Sequence, residues 1–214
     1  MERMALGPMQ NPVRGFLHGT AGLLSVVGLV ALVSRASGRL MVFACAVYGL
    51  TLIGMYMTSA AYHSVPWRPI WKARLQRLDH TMIYVLVAGT ATPLLVALSP
   101  DLWRGLGLFS IWALVLCGMA RELSPGRSGR IWLRLEFVAA ATAVVPFAIA
   151  LAHTEYRTAI LIIAGGVTYL TGVALFVNDR PRLAPRVFSH HEFFHVMVIL
   201  ASVTHFWAVW RVVA

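Results

Sequence analysis

The sequence predicts an all-α polytopic membrane protein, a bundle of seven transmembrane helices with the N-terminus inside the cell and the C-terminus outside. Three observations carry that expectation. The 214 residues are 59% hydrophobic and only 12% charged, whereas a soluble domain carries about 25% charged residues. Seven long stretches lack Asp, Glu, Lys and Arg: Phe16 to Ser34, Leu40 to Trp67, His80 to Pro100, Gly105 to Ala120, Phe137 to Thr154, Thr158 to Asn178 and Phe193 to Trp210. The basic residues fall between these stretches, and alternate segments share them unequally.

Taken in order, the spans are expected at roughly 16–34, 40–63, 80–98, 103–120, 135–153, 158–177 and 191–211. Most approach the ~20 residues that cross about 30 Å of hydrocarbon, and none alternates as a barrel strand does. The first resembles the apolar core of a signal peptide in length, but it lacks a small-residue cleavage site and six more spans follow, so it is expected to be retained. In the third, Gly89-Thr90-Ala91-Thr92-Pro93 combines small residues with a proline. That pattern suits close helix approach and a kink beside a lipid-accessible cavity, and Pro146 is expected to kink the fifth span. Trp67, Trp71, Trp103, Trp132, Trp207 and Trp210 lie near span ends, as an interfacial aromatic belt does. The connections are too short for a soluble domain and no long repeat is visible, so residues 1–214 form a single membrane domain. Cys45 and Cys117 fall inside spans, where cysteine behaves as a small hydrophobe rather than as part of a disulfide framework.

A net charge of +10 raises the question of nucleic acid, but the basic residues form no single patch or stripe, which excludes that partner. With the N-terminus inside, the inner side receives Arg3 and Arg14, then Arg68, Lys72, Arg74 and Arg77, then Arg121, Arg127, Arg130 and Arg134, then Arg180, Arg182 and Arg186. The outer side receives Arg35, Arg39, Arg104, Arg157 and Arg211. Thirteen against five sets the orientation by the positive-inside rule and places the protein in the cell membrane.

Eight histidines, His18, His63, His80, His153, His190, His191, His195 and His205, lie mostly in or at the ends of spans. Ionisable groups there cost on the order of 2.5–3.5 kcal/mol at a helix centre, less near an interface, and each needs a partner. For His18, His80, His153, His190 and His205 taken singly, a hydrogen bond to a neighbouring helix or an interfacial position is the ordinary account. Four other groups converge. The second span ends at the inner face, and the third and seventh begin there, which brings His63, Asp79, His191 and His195 to one depth from three helices. His191 and His195 are four apart and share a helix face, as do Ser59 and His63. Three imidazoles with an open fourth position have the composition of a catalytic zinc site. Asp79 is placed to hold a water there as base, and Ser59 to assist it. His191-Glu192-Phe193-Phe194-His195 also matches H-E-x-x-H, in which the glutamate is the base. An acid in a first helical turn is equally explained by the helix dipole, so Asp79 is preferred.

Ser59-Ala-Ala-Tyr-His63, Leu78-Asp79-His80 and Ser189-His190-His191-Glu192-Phe-Phe-His195 resemble the three motifs of hemolysin III proteins, which belong with the progestin and adipoQ receptors. The likeness covers essentially the whole chain. By resemblance to the adiponectin receptors of that superfamily, His63, His191 and His195 would bind zinc, Asp79 would contact the zinc-bound water, and Ser59 matches the second-span serine. The usual motif has one histidine after the serine, so His190 is the departure. Arg14-Gly-Phe-Leu-His18 is only loosely similar to the family's amino-terminal histidine motif, and no site is assigned to His18.

The resemblance extends to alkaline ceramidases and implies a zinc-dependent hydrolase that cleaves an amide or ester of a membrane lipid, with a part in membrane lipid homeostasis. Two other readings stand beside it: a non-catalytic sensor or receptor with structural zinc, and a pore-forming haemolysin. A seven-span bundle without a polar helix face offers no evident water-filled pore.

Overall fold

The computed structural model describes residues 11–123, 155–184 and 187–213. In chain order they form six helices: α1 (Pro12–Arg35), α2 (Arg39–Ser64), α3 (Pro69–Leu98), α4 (Asp101–Leu123), α5 (Tyr156–Val177) and α6 (His190–Val212). All six are long and apolar enough to cross a membrane, and no strand occurs among the described residues. The span expected at 135–153 lies outside the described residues, as do His153, Trp132 and Pro146.

The third helix departs from its expected bounds. It begins at Pro69 rather than near residue 80, so Lys72, Arg74 and Arg77 are helical and Asp79 sits well inside the helix instead of at its start. Hydropathy reads charge as an interruption, whereas Lys, Arg, Leu, Gln and Ala are all good helix formers and Pro69 suits a first turn. The α1–α2 connection is short and turns at Gly38, whose φ of 80° favours glycine.

Among the described residues, helix α2 packs against α1 and α3. Its Tyr48, Leu52, Met55 and Tyr56 pack with Ala21 and Leu32 of α1 and with Val198, Ala208 and Val209 of α6. A smaller cluster joins Tyr84, Ala88 and Leu95 of α3 to Ile111 and Val115 of α4. Leu23, Leu24, Val27 and Val30 on α1, and Ile160, Ile163 and Val167 on α5, are exposed. Such rows would form a sticky patch in water but are ordinary surface in lipid. Arg35 ties the far ends together: its Nε–H donates to the Val213 carbonyl at 2.6 Å, and its guanidinium lies 4.9 Å from the Trp210 ring centroid. A cation is favourable at a helix C-terminus.

A cavity of about 370 Å³ lies beside α2, α3 and α4, lined by Phe43, Val47, Thr92, Val96 and Trp112 among others. Pro93 itself is fully buried.

Small residues also set the α5–α6 approach. His205 Nε2 lies 3.2 Å from the Ile162 carbonyl, the interhelical bond expected of an isolated membrane histidine. The ring passes so close to Gly165 that a methyl group there would overlap it, whereas one at the adjacent Gly166 would meet nothing within 4 Å among the described residues. Gly165→Ala is therefore expected to destabilise the protein by about 1–3 kcal/mol through overpacking. Gly166→Ala, on the same helix, should gain up to about 1 kcal/mol from helix propensity. Thermal unfolding of the two variants in detergent compares them, and equal shifts would rule out this account of the α5–α6 contact.

Candidate metal centre

Helix α6 starts where it does because of Ser189 at its N-cap and Glu192 in its first turn. The Ser189 N–H and Oγ–H both donate to Glu192 Oε2, at 2.7 and 2.6 Å, in a capping box at the N-terminus. The other carboxylate oxygen, Oε1, accepts a 2.6 Å bond from Arg14 Nε, and both side chains are buried. Glu192 thus fixes the first turn of α6 and ties it to the first turn of α1. With both oxygens engaged it is an anchor, which answers the zincin-like spelling of the sequence around it.

That first turn presents His191 and His195 to the end of α2. One nitrogen from each of His63, His191 and His195 falls in a group whose members all lie within 4.8 Å of one another. Ring centroids are 5.0 Å apart for His63 and His191, 4.9 Å for His63 and His195, and 5.1 Å for His191 and His195. His63 and His195 are buried, and His191 is partly exposed. His63 Nε2 and His195 Nδ1 are buried without a hydrogen-bond partner among the described residues. A buried polar atom left unpaired costs about 1–3 kcal/mol. Convergent, unpaired imidazole nitrogens fit a divalent cation, and imidazole suits zinc.

Ser59, one turn before His63, is buried and faces the carboxyl of Asp79 across the α2–α3 interface. Asp79 is partly buried and lies near the phenols of Tyr62 and Tyr169. It does not belong to the three-histidine group. Phe176 of α5 packs against His191 at 4.9 Å and against Phe194 at 5.1 Å, an apolar wall that limits water on that side.

The other described histidines divide clearly. His80 Nδ1 pairs with Glu122 Oε1 at 3.0 Å, linking α3 to α4. His190, the extra histidine of the motif, lies 3.4 Å from Asp179 Oδ1 in the α5–α6 connection. Neither joins the metal group. His18 does approach it: its ring centroid is 3.9 Å from that of His195, and it meets Tyr56 edge-on at 5.0 Å. Sequence reasoning passed over Arg14 and His18 as parts of the site. Their signals are a pair of polar residues four apart on an otherwise apolar helix and the loose likeness of Arg14-Gly-Phe-Leu-His18 to the family's amino-terminal histidine motif.

A family profile described as "Haemolysin-III related" matches residues 8–206. The chain belongs to this family. It is thereby a member of the progestin and adipoQ receptor superfamily, and a membrane protein. Among its relatives, the protein named Hemolysin-3 from Bacillus cereus is 28% identical over 226 residues, covering 98% of this chain and 94% of that protein. The Hemolysin-3 homolog of Bacillus subtilis (strain 168) is 26% identical over 201 residues, covering 90% of this chain and 89% of that protein. Both alignments span nearly the full length of this haemolysin III-related chain.

Proposed function

We propose that this haemolysin III-related protein is a zinc-dependent hydrolase that cleaves an amide or ester of a membrane lipid, with its site at the inner face of the cell membrane. The carrying observation is the group of three imidazole nitrogens within 4.8 Å of one another; Ser59, one turn before His63, faces the carboxyl of Asp79 across the α2–α3 interface. Held by His63, His191 and His195, zinc supplies Lewis-acid polarisation and a more acidic water.

The chain's own residues account for the rest. Asp79 takes a proton from the water that adds to the acyl carbon and returns it to the departing amine or alcohol as the C–N or C–O bond breaks. Ser59 Oγ orients the Asp79 carboxyl. Glu192, held by Arg14 and Ser189, transfers no proton. The partly exposed His191 marks the side from which a lipid reaches the site, and Phe176, packed on its ring, gives that side an apolar edge.

Purified protein incubated with a lipid library, with and without chelator, tests this reading. Chelator-sensitive release of fatty acid is the expected result. Asp79→Asn is expected to keep its metal and lose at least about a hundredfold in turnover, the usual scale of general-base loss. Unchanged turnover would remove Asp79 from the mechanism. Bound metal without any lipid cleavage would instead favour the sensor reading. The word hemolysin in the names of both Bacillus relatives motivates a third, direct lysis of membranes. Lysis of erythrocytes that survives His63→Ala would favour it.

A further inference from the structure

We propose that His18 is a substrate-contacting residue whose ring hydrogen-bonds the amide or ester linkage of the bound lipid. This rests on the hydrolase reading and names a group that the histidine motif does not contain. Hydrogen-bond accounting carries the argument. His18 is only 3% exposed, and neither of its ring nitrogens has a hydrogen-bond partner among the described residues. The other described histidines outside the metal group do have polar partners: Glu122 for His80, Asp179 for His190 and the Ile162 carbonyl for His205.

A buried polar group of this kind is normally satisfied or absent, because Leu or Phe fills the same space without leaving an atom unpaired. The main-chain carbonyl of His195 lies near the ring but outside hydrogen-bonding geometry. At most it could occupy one N–H, which leaves the second nitrogen open. His18 is not a fourth ligand, since it stands outside the group whose nitrogens lie within 4.8 Å. Yet its ring lies against His195, so what meets the free nitrogen lies beside the metal ligands.

The position is held rather than incidental. Arg14, one turn earlier on α1, is bonded to Glu192 of α6, which fixes the register of α1 against the helix carrying His191 and His195. The linkage of an acyl amide or ester is the chemistry that fits: its carbonyl oxygen accepts from a ring N–H, and an amide N–H donates to the ring's lone pair. An amide serves both tautomers of His18, and an ester the one that presents its N–H.

The test uses the full chain in detergent, loaded with Co²⁺, and dodecanohydroxamic acid as probe, because a hydroxamate brings a carbonyl and an N–H to the metal on an acyl tail. In His18→Phe, cobalt should remain bound with an unchanged visible spectrum and the unfolding midpoint should hold or rise. Hydroxamate affinity should fall about three- to tenfold, the range for losing one hydrogen bond. His18→Gln, which keeps a donor and an acceptor, should lose less. Equal hydroxamate affinity in wild type and His18→Phe would overturn the inference while leaving the metal reading intact. So would an altered cobalt spectrum, which would make His18 a ligand, or failure of both variants to fold, which would make it structural. A wild-type chain that binds no cobalt would end both readings.

Discussion

His63→Ala, His191→Ala and His195→Ala are each expected to reduce zinc affinity by more than a hundredfold, and His190→Ala to leave it unchanged. The magnitude follows from comparison with weaker lesions: altering a group that merely orients a metal ligand already costs about 10- to 100-fold. Each of these three histidines contributes one of the nitrogens grouped within 4.8 Å, so removing one leaves two. His190 is the informative control because it is adjacent in sequence to His191 and similar in chemistry, but it faces Asp179. Metal analysis of the purified variants checks the prediction, and undiminished zinc in all three would end the metal reading. Thermal unfolding gives an independent measure. Zinc that binds only the folded chain raises its stability by RT ln(1 + [Zn]/Kd), about 2.7 kcal/mol at a hundred times Kd. That added stability should vanish in the three variants and persist in His190→Ala.

The parts of this molecule that could be read in its sequence are those with local causes. Charge-free runs revealed the six described helices because a helix that crosses lipid must be apolar along its length. The three histidines could be assembled because a spacing of four puts His191 and His195 on one helix face, and because chain direction alternates from span to span and brings His63 to the same depth. The N-terminal extension of α3 was missed for the converse reason: Lys72, Arg74 and Arg77 are poor in hydropathy but good in helix propensity. Arg14, one of the basic residues counted to the inner side, is also only 5% exposed and bonded to a residue 178 positions away. No local pattern reports a contact of that separation. The same α1–α6 contact brings His18 to His195, so the wall of the site formed by α1 emerges only when the two ends of the chain are seen together.

The Arg14–Glu192 pair is expected to dominate the stability of that junction, and the order of its variants distinguishes anchor from base. Glu192→Ala strips a buried guanidinium of its counter-charge, a lesion that costs about 3–5 kcal/mol. It also removes the acceptor of the Ser189 N–H, so a further loss of about 1 kcal/mol is expected at the cap. Arg14→Met should cost less, because the Glu192 carboxylate keeps both Ser189 bonds. Combining Arg14→Met with Glu192→Gln should recover much of the loss, since neutral partners no longer bury an uncompensated charge and glutamine can still accept from Ser189. Thermal unfolding in detergent gives the ranking, and a double variant no better than Glu192→Ala would refute the ion-pair account. Turnover supplies the second axis. If Glu192 were the base, Glu192→Gln would lose turnover in the molecules that remain folded and metal-loaded. As an anchor whose two oxygens are already engaged, it should lose stability while each folded molecule keeps its rate, and the loss of rate should appear with Asp79→Asn instead.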